Sequence, residues 1–134
     1  MKKNHPNAKV FNILWSHIPA CDQHDYGTDH DPKHQMASHC TDIRYIFDTL
    51  HLSPDASWTD QDRKYVEILG EYMGNFLKTG DVNGEGLPYW PEAADSYSYL
   101  EVGDSLMVHT GLESKVEEMA REYVLKEYGI DKDL

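Results

Sequence analysis

The chain has few cysteines, few basic residues and no long apolar run, and each shortage excludes something. Cys21 and Cys40 are the only cysteines among 134 residues, too few for a disulfide-built scaffold. Lysine and arginine number 12 against 24 acidic residues, a formal charge of −12. So acidic a surface repels phosphate backbones and no basic stripe offsets it, so nucleic-acid binding is not expected. The longest apolar stretch near the start, Val10 to Ile18, is broken by Asn12, Ser16 and His17. It cannot span a bilayer, and Met1 to Pro6 leads into no signal-type core, so no membrane partner is expected either. The cytoplasm is the expected compartment, and the length is one domain's worth.

Hydrophobic periodicity sets out the elements. Residues 8–18 are rich in β-branched and aromatic side chains and end at Pro19, which predicts a largely buried strand. Residues 19–38 are polar, with Gly27, Pro32 and many Asp and His, and read as a long loop. Ile43, Ile46, Phe47 and Leu50 predict a short helix over 42–50, followed by a connector from His51 to Trp58. Thr59 with Asp62 makes a capping pair, Asp replacing the usual Glu or Gln. From there Tyr65, Val66, Leu69, Tyr72, Met73, Phe76 and Leu77 form one stripe, which Gly80 stops. Gly70 and Gly74 inside it suggest close packing against a neighbour.

Residues 80–98 read as a Gly/Pro-rich loop, Tyr97 to Val102 as a short strand closed by Gly103-Asp104. A last helix is predicted from about Glu113 to Tyr128, with Val116, Met119, Ala120, Tyr123, Val124 and Tyr128 as its core face and Gly129 as its end. The order is α/β, with about two strands, three helices and long loops. Two strands do not complete a parallel sheet, which needs several strands and both faces covered. The expected unit is one partial domain over residues 1–134.

Several clusters invite chemistry. His39 stands at a loop-to-helix junction, where α/β enzymes place catalytic groups, and histidine moves protons near neutral pH. The plain alternative is a surface or helix-cap histidine. Cys21, His24, His30, His34, His39 and Cys40 offer six potential zinc ligands beside Asp22, Asp25, Asp29 and Asp31. Their spacing matches no closed zinc pattern, so no resident metal or other cofactor is expected. Asp81 to Glu92 imitates a calcium loop, but Pro88 and Pro91 forbid the pairing and the exit helix, which leaves a turn. Cys40 adjoins His39, yet consecutive side chains rarely face each other, so a packing role is expected for it rather than nucleophilic attack.

The segment His39-Cys40-Thr41-Asp42-Ile43-Arg44-Tyr45-Ile46-Phe47 resembles the catalytic-histidine segment of the type-B carboxylesterases, the cholinesterase-like branch of the α/β-hydrolases. Downstream, Trp58-Thr59 opening a helix, Asn75-Phe76-Leu77-Lys78-Thr79-Gly80-Asp81-Val82-Asn83-Gly84 and Leu87-Pro88-Tyr89-Trp90-Pro91 resemble further runs of that family in the same order. The resemblance is strongest over residues 8–103, leaving 104–134 to the last helix. Cys40 stands where the family commonly has Gly, Ser or Ala, and Arg44 and Val82 where it often has Pro.

The resemblance implies the C-terminal portion of an α/β-hydrolase fold, with His39 as the triad histidine and Asp42 supporting the loop-helix junction. Tyr45 and Phe47 would pack beneath the loop. In that fold the triad runs serine, acid, histidine along the chain. This sequence has no Gly-x-Ser-x-Gly elbow and no glycine-rich oxyanion segment. The expectation is therefore a serine-esterase portion, inactive alone, that meets an ester substrate only with an N-terminal complement. A complementing chain or a second copy of itself is also expected, to cover the exposed apolar strand at residues 8–18. The other reading is an esterase remnant serving as a binding or scaffold module, with metal capture by the histidine-rich loop 21–40.

Overall fold

The longest element states its ends in its sequence. In the computed structural model, which describes residues 7–93, 97–111 and 115–129, α3 runs Asp60–Thr79. Thr59 caps it in extended conformation: its hydroxyl accepts from the Asp62 N–H, and the Asp62 carboxylate accepts the Thr59 N–H at 2.7 Å. At the other end Gly80 adopts φ +76 and donates to the Phe76 carbonyl at 2.8 Å, a left-handed cap that glycine takes without strain. Between them Asp62, Tyr65, Leu69 and Tyr72, spaced by three and four, form the buried face. Gly70 and Gly74 break the expectation of close packing, because a Cβ at either would meet nothing within 4 Å.

The sheet is mixed, in the order β1 (Asn12–Trp15), β2 (Tyr99–Val102), β3 (Leu106–His109). β2 is central, parallel to β1 with Trp15 opposite Val102 and antiparallel to β3 with Val102 opposite Leu106. Leu100 and Val102 face the core with Tyr65, Leu69 and Tyr72 of α3, while Tyr99 and Glu101 take the other face by strand alternation. The loop after α3 is stitched to β1: the Trp90 indole donates to the Asn12 carbonyl at 3.0 Å, and Ala93 N–H to Val10 at 2.7 Å.

The α/β class is as expected, with three strands and four helices rather than two and three. The strand predicted over 8–18 shrinks to four residues. Its ladder ends where Ser16 and His17 N–H both converge on the Val102 carbonyl, at 2.9 and 2.8 Å. β3 was not legible, and it follows a tight turn in which Gly103 N–H bonds the Ser105 carbonyl.

The loop 19–38 holds a 3-10 turn at Gln23–Asp25 and a one-turn α1, Pro32–Gln35, capped by Asp31. The helix expected over 42–50 is α2, Ile43–Ile46, ended near Asp48 at φ +49, and then a 3-10 turn Leu50–Leu52.

The last helix, α4, is Lys115–Glu127; Glu113 and Ser114, where it was expected to begin, lie outside the described residues. Its stripe is not core: Val116 is 74% exposed, and Met119, Tyr123, Val124 and Tyr128 are exposed too. Among the described residues no helix is long and apolar enough to cross a membrane.

Candidate functional site

His39 lies in an exposed turn that leads directly into α2. The turn is hydrogen-bonded through its main chain. Thr41 donates to the Ser38 carbonyl with its N–H at 3.3 Å and its hydroxyl at 2.8 Å, and Ile43 N–H reaches the Cys40 carbonyl at 3.3 Å. Cys40 holds φ +65, the left-handed region in which a side chain is strained and glycine is not. A glycine, common there in the resembling family, would satisfy that backbone. The Cys40 side chain is exposed, which corrects the packing role expected of it.

The Asp42 carboxylate makes no cap bond; its carbonyl accepts from Tyr45 N–H at 3.0 Å and Ile46 N–H at 3.1 Å. Tyr45 is fully buried, against Trp15 and Trp58, but Phe47 is 66% exposed, which corrects the packing expected of it.

Tyr45 leads to a polar centre that the sequence did not announce. Its hydroxyl donates to Asp62 Oδ1 at 2.7 Å, and His17 Nε2 donates to the same oxygen at 2.8 Å. Asp62 Oδ2 accepts the Thr59 hydroxyl at 2.6 Å and the Thr59 N–H at 2.7 Å. Burial opposes the charge, yet the bonds from His17, Thr59 and Tyr45 outweigh it and hold the carboxyl well below the usual carboxylate range. Burial, then the Asp62 bond, pushes the Tyr45 phenol far above its ordinary value. The His17 ring sits edge-on to Trp15, Tyr45 and Tyr65, with centroids 5.6, 5.7 and 5.2 Å away. A histidine bonded to a buried carboxylate resembles two-thirds of a triad, but this one is walled in by rings.

A second chain of polar groups crosses the other sheet face. Ser16 Oγ donates to Glu101 Oε1 at 2.6 Å, and His109 Nε2 to Glu101 Oε2 at 2.8 Å. The acid stands between serine and histidine, so no imidazole is placed to take the serine proton. The Ser16 bond, opposed by burial and aided by His109, lowers the Glu101 pKa, making it a weaker base still.

The six metal-ligand candidates do not assemble. Among the described residues the one group of three ligand atoms within 4.8 Å of one another is Asp22, His24 and Asp25; Cys21, His30, His34, His39 and Cys40 join no such group. The calcium-like loop is occupied by its own bonds. Lys9 and the Asn83 N–H engage Asp81, whose pKa these contacts bring down to about 2. Asn83 in turn clasps Trp90 at both N–H and carbonyl. Between β1 and α3 lies an apolar cavity of about 200 Å³, lined by Phe11, Ile13, Tyr72, Phe76 and Trp90 among others.

The family profile described as "Carboxylesterase family" matches residues 1–121. This chain belongs to the carboxylesterase family. Carboxylesterase 5A of Felis catus is 31% identical to it over 116 residues, 84% of this chain and 20% of the relative. The acylcarnitine hydrolase of Rattus norvegicus is 25% identical over 109 residues, 81% of this chain and 18% of the relative. The chain thus spans about a fifth of the length of these curated relatives.

A solved structure, an esterase from anaerobic Clostridium hathewayi described as able to hydrolyze aliphatic aromatic polyesters, superposes with a TM-score of 0.65 at 22% identity, over 85% of this chain and 21% of that one. That likeness carries the fold alone, an α/β arrangement. The His39 turn and α2 are one of the stretches that carry the sequence resemblance, beside Trp58-Thr59, Asn75 to Gly84 and Leu87 to Pro91 further along the chain. His17 and Asp62 were missed because they are 45 residues apart. The one available signal, Asp at the third position of a capping box, does not report burial.

Proposed function

We propose that this chain is the histidine-bearing C-terminal part of a serine carboxylesterase and that His39 is its triad base. The supporting observation is the family match over residues 1–121, which runs through the exposed His39 turn. In that role the imidazole accepts the serine proton as the ester carbonyl is attacked, then protonates the departing alcohol, while a carboxylate orients the ring. Serine, oxyanion donors and carboxylate come from an N-terminal carboxylesterase portion. Asp42 supports the turn through its main-chain carbonyl, which starts α2.

Two features favour a complement. β1 is an edge strand whose outer side has no ladder partner among the described strands, an invitation to pair with another chain. The α4 stripe lacks cover in the same way. The test is hydrolysis of p-nitrophenyl esters by the chain alone and after co-expression with a carboxylesterase N-terminal portion that carries the serine elbow. Activity is expected only in the second case, abolished by His39→Gln and by a serine-directed inhibitor. Inhibitor-sensitive turnover by the chain alone, or full activity of the His39→Gln complement, overturns the reading.

A further inference from the structure

Between Asp31 and Leu50 only one side chain is fully buried, that of Tyr45. Ile46 also packs against the core and the Arg44 guanidinium lies 5.6 Å over the Trp58 ring, but Tyr45 is the one side chain of the segment sealed wholly inside the body of the protein. The Tyr45 ring is lodged between Trp15, centroids 4.7 Å apart, and the edge of Trp58 at 6.2 Å. Its hydroxyl is a buried donor, and Asp62 is its acceptor.

The same carboxylate closes three separate elements on one another: His17 beyond the end of β1, Tyr45 of α2, and Thr59 at the cap of α3. Backbone bonds then carry the constraint outward, from Tyr45 and Ile46 to the Asp42 carbonyl, from Ile43 to Cys40, and from Thr41 to Ser38. His39 lies inside that ladder.

We infer that Asp62 is a positioning residue for His39, acting through the Tyr45 hydroxyl. The inference rests on the proposed role of His39 for its functional meaning, but its structural content stands alone. Four donors on one buried carboxylate satisfy it fully, so the arrangement is stiff, and removing one donor or the acceptor leaves a buried polar group unpaired. A merely stabilising Asp62 would loosen the whole protein. A positioning Asp62 loosens the turn and α2 ahead of the interior of α3.

Amide hydrogen exchange by NMR on the intact chain separates the two, with Tyr45→Phe and Asp62→Asn as variants. Tyr45→Phe keeps the ring and decides the matter if Asp62→Asn does not fold. The expected result is a rise of about tenfold in exchange at residues 45–47 relative to residues 69–76. The His39 imidazole resonance should shift or broaden, with that of exposed His30 unchanged. Equal loss of protection in both segments, or an unaltered His39 signal in Tyr45→Phe, overturns the inference. Failure of the catalytic reading shows elsewhere, as an active His39→Gln complement, and leaves this exchange pattern untouched.

Discussion

Helices α3 and α4 carry the same kind of sequence, an apolar stripe at helical spacing with charges opposite, and they end in different environments. Tyr65, Leu69 and Tyr72 of α3 are at most 3% exposed, while Val116 and Met119 of α4 are 74% and 61% exposed. α3 lies against a sheet and is closed at its N-terminus by the Asp62 bonds. In α4 the Arg121 guanidinium lies 4.7 Å over the Tyr97 ring, while the apolar stripe stays exposed. An amphipathic pattern thus states which face of a helix gains from burial and says nothing about whether a partner is there to bury it.

The contrast can be broken by mutation, most severely at Asp62. Asp62→Ala strands His17, Tyr45 and the Thr59 cap and is expected to cost about 3–5 kcal/mol, as loss of one partner of a buried charged network does; chemical denaturation measures it. Leu69→Ala should cost about 2–4 kcal/mol by opening a cavity, whereas Met119→Ala on the exposed stripe should stay within about 0.5 kcal/mol. A comparable loss at Met119 would mean that α4 is buried in solution, by a second copy or by a complement. Repeating the melt at several protein concentrations tells which regime applies.

Acid sharpens the same comparison. The Asp62 pKa is depressed on folding, so its contribution is complete above the unfolded carboxylate value near about 4 and is lost as pH falls through the lower folded value. Denaturation midpoints should fall below about pH 4 and fall less steeply in Asp62→Asn; an equal slope in the two proteins would remove Asp62 from the account. The smallest effect is expected in the turn itself. Cys40→Gly relieves a side chain at φ +65 and should add about 0.5–1 kcal/mol at most, read as a small rise in melting temperature.

Local chemistry explains what was legible. The capping pair at Thr59 and Asp62 and the stop at Gly80 are interactions within a few residues, so spacing alone reveals them. The family resemblance was legible for a related reason, since the His39 segment and the Asn75–Gly84 run keep residue type and order together. The strand over 8–18 was overlong because apolar content does not say where a partner's ladder ends. Leu106–His109 was missed because four residues without alternation give no strand signal until β2 supplies the hydrogen bonds.

By itself the sequence determined the α/β order, the ends of α3 and membership in the carboxylesterase family, all written in short-range spacing and residue type. Only the tertiary structure decided that Asp62 is a buried hub rather than a surface cap, that His17 is its partner, and that α4 keeps its stripe in water. Those outcomes depend on contacts between residues far apart in the chain, where burial and pairing are set by what folds alongside and not by the neighbours in sequence.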